Sequence, residues 1–93
     1  MQTVKRPTDD VRRQIAILML ELQALRDDTK VHMHFAGMEL RDRWNRFELR
    51  HVQLQEAARH VREDALEALR NALVDHRAKL TELRDDLESD PEC

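Results

Sequence analysis

One glycine, two prolines, one cysteine and no tyrosine occur in the 93 residues of this chain. Each scarcity closes off a class of structure. With Gly37 as its single glycine, the chain holds no glycine-rich loop of the kind that cradles phosphates. Pro7 and Pro91 stand near the two ends, so nothing between them must interrupt a helix. Cys93 has no partner for an internal disulfide, and the acidic run Glu88–Glu92 beside it disfavours a reactive thiolate. The longest apolar run, Ile15–Leu20, is six residues, far short of the ~20 needed to span a bilayer. The opening MQTVKRPTDD lacks the apolar segment of a secretory signal, and a cytoplasmic protein is expected. Basic excess is missing too. The net charge is −3 with 38% charged residues, whereas a nucleic-acid-binding domain is usually basic. Nucleic acid is therefore not an expected partner.

What the chain does have is helix-forming chemistry. Leu, Ala, Arg and Glu dominate, β-branched residues are sparse, and no stretch alternates with period two. Thr8 reads as an N-cap, with Asp9 and Asp10 suited to the positive end of a helix dipole. A heptad seam then runs through Val11, Ile15, Leu18, Leu22, Leu25 and Thr29. Its spacing slips through His32, Ala36 and Leu40, and resumes with Trp44, Phe47, His51, Leu54, Ala58 and Val61. A second slip through Ala65 and Leu69 leads into Leu73, His76, Leu80, Leu83 and Leu87. Such slips are stutters, which locally unwind a supercoil.

The stretch Val31–Phe47 holds every aromatic residue, Phe35, Trp44 and Phe47. It carries two apolar stripes at helical spacing. Met33, Ala36, Leu40, Trp44 and Phe47 form one, and Val31, Phe35 and Met38 the other. Two stripes imply two neighbours. The Met and aromatic side chains could alternatively form a peptide- or lipid-binding face, although core packing is the ordinary role for such a stripe.

Two places could reverse the chain: the polar Arg26–Lys30 and the weak seam at Glu56–Asp64, where the buried positions would be small. The second is favoured. Residues 1–8 then form a flexible tail, 9–88 one helical coiled-coil domain and 89–93 an acidic tail. Helix one covers about 9–58 and helix two about 61–88, roughly 75 Å and 42 Å at ~1.5 Å per residue. The expected fold is all-α, an antiparallel coiled-coil hairpin with Leu40, Trp44, Phe47, Leu54, Leu69, Leu73 and Leu80 in its core. Folding back, helix two reaches only to Val31 and leaves Ile15, Leu18, Leu22 and Leu25 bare. These four residues are the expected interface of a homodimer with a four-helix cross-section.

Charge is unevenly spread. Arg41–Arg62 contains six Arg against three acids, while the chain from Glu63 onward is acidic. The excess could serve an acidic or phosphate-bearing partner. The simpler reading sets opposite charges across the seam of two antiparallel helices.

The segment Leu25–Glu48, LRDDTKVHMHFAGMELRDRWNRFE, resembles a diffuse group of small bacterial coiled-coil proteins, some of them labelled stress-response proteins. They carry a similar charged–apolar–His–apolar run followed by a Trp, and Val61–Leu83 looks like their shorter second helix. The resemblance implies a long helix followed by a short one, and a stress-related role. It brings no activity, cofactor or site residue with it.

Five histidines raise the question of metal. His32 and His34 are two apart and cannot share an ion from one helix. Glu48 and His51 have the Glu-x-x-His spacing of di-iron bundles, and only one copy is present. No metal site and no cofactor are expected, with Glu48 and His51 coming nearest to one. The residues point to a non-enzymatic protein that self-associates or binds an unidentified protein partner. A membrane-surface amphipathic protein and a metal-binding bundle are the alternatives.

Overall fold

The computed structural model describes residues 7–89. They form three α-helices and, among the described residues, no strand: α1 (Pro7–His32), α2 (Met38–Arg59) and α3 (Leu66–Ser89). Short 3₁₀ turns at Met33–Phe35 and Glu63–Ala65 join them. The all-α, folded-back architecture expected from the seam is present, with one correction. The long first helix expected over 9–58 is two helices.

α1 begins at Pro7, where a missing N–H costs nothing because the first turn has no carbonyl to receive it. Thr8, expected as the N-cap, lies inside the helix. At the other end Lys30 and His32 suit the negative pole of the helix. The chain then tightens into the 3₁₀ turn, where the Ala36 N–H donates to the Met33 carbonyl at 3.2 Å. Ala36 and Gly37 are extended, and α2 starts when the Arg41 N–H reaches the Gly37 carbonyl at 3.0 Å. The second corner falls inside the expected Glu56–Asp64 stretch. His60 ends α2, Arg62 is extended, and Glu63 and Asp64 lead into α3, placing negative charge at its N-terminal end.

Cross-helix pairs give the directions. Arg77 reaches Glu21 at 2.5 Å and Arg84 reaches Asp28 at 2.6 Å, one heptad apart on both helices, so α1 and α3 run parallel. The Arg70 guanidinium donates to Gln14 Oε1 at 2.9 Å, one heptad earlier still. Arg43 to Asp86 at 2.7 Å and His51 to His76 at 3.2 Å make α2 and α3 antiparallel. The chain is thus an up-down-up bundle in which α3 packs on both other helices. α1 and α2 meet chiefly at the corner and through Arg26, which grips the Glu48 carboxylate with two bonds of 2.5 and 2.8 Å.

One core runs the length of the bundle. Leu22, Leu73 and Leu80 are fully buried, with Val11, Ile15, Leu18, Met33, Trp44, Phe47, Leu54, Leu66, Leu69 and Leu83 around them. Burying each such side chain is worth about 1.5–3 kcal/mol. Thr29 is also fully buried, its hydroxyl donating to the Leu25 carbonyl at 2.7 Å. The expected core residues Trp44, Phe47, Leu54, Leu69, Leu73 and Leu80 lie in this cluster, and Leu40 is partly buried against it. Of the two stripes in Val31–Phe47, the first is core. The second faces solvent, with Phe35 90% and Met38 81% exposed. The break at residues 33–37 separates their directions, so two stripes do not mean two neighbours here.

Candidate functional site

The most unusual chemistry in the bundle is a pair of buried histidines. His51 of α2 and His76 of α3 occupy seam positions, each 2% exposed. His51 Nδ1 lies 3.2 Å from His76 Nε2, so the pair shares one hydrogen bond. The other His51 nitrogen, Nε2, is buried without a partner. The tautomer in which His51 Nδ1–H donates leaves a lone pair there instead of an orphaned N–H, the cheaper of the two arrangements. Phe47 lies flat on His76, ring centroids 4.0 Å apart, and stacks on Trp44 at 5.5 Å. Burial, then His51, Arg50 and Lys79, push His76 down to about 4. Burial and Arg26 push His51 down as well. Both imidazoles are neutral at pH 7.

Glu48 and His51, the nearest approach to a metal site in the sequence, are brought close but committed elsewhere. Glu48 is held by Arg26 and His51 by His76. Among the described residues no three His, Cys, Asp or Glu side chains converge in a way that could hold a metal ion. Glu56 and His60 pair with each other at 3.1 Å on the surface.

Outside this pair, between α2 and α3, lies an open groove of about 430 Å³. Arg43, Arg46, Arg50 and Lys79 line it, with Glu82 as its single acid and Phe47, His76 and Leu83 as its floor. The expected charge complement across the α2–α3 seam is therefore incomplete. Arg43 meets Asp86, but one heptad further along, the same register sets Arg50 opposite Lys79. Two basic residues of α3, Arg77 and Arg84, instead reach the acids Glu21 and Asp28 of α1.

The residues expected at a dimer interface lie elsewhere than on a surface. Ile15, Leu18 and Leu22 are buried under α3, and Leu25 packs against the same core. Because α3 runs parallel to α1 and covers it, the bare seam expected on α1 does not exist. Other apolar residues are exposed: Ile17 and Leu20 on α1, Leu49 and Val52 on α2. Ile17 and Leu20 belong to the apolar run Ile15–Leu20 noted in the sequence, whereas Leu49 and Val52 fall off the seam and carry no such signal.

No protein family, curated protein or solved structure matches this chain. Its function has to be argued from its own geometry. Among the described residues no helix is long and apolar enough to cross a membrane.

Proposed function

We propose that this chain is a non-enzymatic, self-associating helical bundle acting in the cytoplasm as a structural or partner-binding protein. The observation that carries the reading is the α1–α2 face. α3 packs on both helices, while α1 and α2 touch each other sparingly, so their shared face is left open. Leu20 on α1 and Leu49 and Val52 on α2 are 72%, 64% and 61% exposed. With the Arg26–Glu48 pair setting the register, Val52 comes level with Leu22, within a turn of Leu20. Large apolar groups left in water on two helices of an otherwise complete bundle favour an interaction surface, and a second copy docking by twofold symmetry is the commonest way to cover one. Four cations, Arg43, Arg46, Arg50 and Lys79, line the α2–α3 groove beside Glu82 and His76, which suits binding of an anionic group.

Light scattering coupled to size exclusion tests the proposal. The wild type should be dimeric at tens of micromolar. Leu20→Glu combined with Val52→Glu should yield a fully helical monomer. A wild type that stays monomeric across that range would overturn self-association.

A further inference from the structure

We infer that the α2–α3 groove is a binding site for a small phosphate monoester, its phosphate held by Arg46, Arg50 and Lys79 and its organic group lying over Phe47 and Leu83. The Arg43–Asp86 pair, 2.7 Å apart, sets which residues of the two helices stand opposite one another. One heptad along α2 from Arg43 is Arg50, and one heptad back along α3 from Asp86 is Lys79. Antiparallel helices ordinarily place opposite charges at these flanking positions. Here two cations meet, and both line the same groove. Arg46, a turn away on α2, adds a third.

Local acids do not cancel this charge. Lys79 shares Asp75 with its own helix at 3.3 Å, Arg43 is occupied by Asp86, and Glu82 lines the groove. Arg46 and Arg50 make no ion pair among the described residues. Two planar guanidiniums with an ammonium beside them match a dianion that accepts several charge-assisted hydrogen bonds. A carboxylate would use only part of this capacity. The groove volume of about 430 Å³ lies in the range of small-molecule sites and leaves room beyond the phosphate for an organic group. The apolar residues lining the groove, where that group would lie, are Phe47 and Leu83.

The test is titration of the full chain with phenyl phosphate, inorganic phosphate and benzoate at constant ionic strength, followed by two-dimensional amide NMR and by thermal shift. Phenyl phosphate should bind saturably, shift amides of α2 and α3 around the groove, and raise the melting temperature. Inorganic phosphate should bind more weakly, and benzoate about tenfold more weakly or worse, because it lacks the second charge. Arg50→Gln and Lys79→Gln should each weaken phenyl phosphate by about tenfold. Arg59→Gln, which removes the same charge from α2 outside the groove, should leave binding unchanged. Without ligand, Arg50→Gln should melt higher than wild type, since a repulsive pair is relieved. Non-saturating shifts, equal binding of benzoate, or equal loss in Arg59→Gln would each overturn the site. So would wild-type affinity in both groove variants, or a lower unliganded melting temperature for Arg50→Gln.

Discussion

Two imidazoles in the centre of a small bundle make its stability depend on pH. The unfolded chain titrates His76 near its ordinary value of ~6.5, whereas in the folded chain burial, His51, Arg50 and Lys79 hold it at about 4. Between those values the unfolded chain takes up a proton that the folded chain refuses. Stability is therefore complete above ~6.5 and is lost as the pH falls toward 4. His51, lowered by burial and by Arg26, acts in the same direction. From about pH 7.5 to about pH 5 the loss through His76 alone should be about 2 kcal/mol. Urea unfolding followed by circular dichroism at the two pH values would measure it. The double variant His51→Leu, His76→Leu removes both titrating groups and should flatten the profile. An unchanged slope in that variant would place the sensitivity elsewhere. Beside the pair, Trp44→Ala should cost about 3–5 kcal/mol, because Trp44 is 9% exposed and stacks on Phe47.

The break between α1 and α2 shows how little sequence a corner requires. No proline enters it, and its glycine has φ −73°, a conformation open to any residue. A Cβ built on Gly37 would meet no atom within 4 Å. Gly37 is the N-cap of α2 and provides no side-chain bond to the exposed first-turn amides. Gly37→Ser should add such a bond and reduce the freedom of the unfolded chain, raising stability by about 0.5–1 kcal/mol. A thermal melt would show it, and a marked fall would mean that the corner needs glycine after all. Both stutters in the seam, at His32–Leu40 and at Ala65–Leu69, coincide with corners. A shift of hydrophobic phase is compatible with an unwound continuous helix, but it is equally what remains when one helix ends and another begins in a new direction. Treating the first stutter as unwinding hid the break.

At the scale of the molecule, parallel packing of α1 and α3 changes what α1 can do. Leu22 is fully buried in the monomer and Leu20 is 72% exposed, two residues apart on opposite faces. Leu22→Glu should destroy the fold, at a cost of more than about 4 kcal/mol for burying an unpaired charge. Leu20→Glu should keep full helicity. Had Leu22 stood at a dimer interface, its charged variant would give a helical monomer instead. Ellipticity at 222 nm beside the molar mass of each variant separates the two cases.

Much of the molecule follows from its sequence alone. Helical composition, the spacing of Val11, Ile15, Leu18 and Leu22, and the small residues around Ala58 were enough for an all-α chain that folds back at that point. The inward stripe from Met33 to Phe47 was legible too, although it crosses the break: Met33 lies in the 3₁₀ turn, Ala36 in the extended link, and Leu40, Trp44 and Phe47 on α2. The tertiary structure alone decided which helix covers which. Periodicity identifies a buried face without naming its neighbour, so a third helix lying parallel to the first could not be read from it. The opposition of Arg50 to Lys79 and the meeting of His51 with His76 have the same origin. Each depends on the axial register between two helices, set by packing and by cross-helix pairs such as Arg43 with Asp86. Residues 25 to 43 positions apart in the chain carry no local mark of a partner in register.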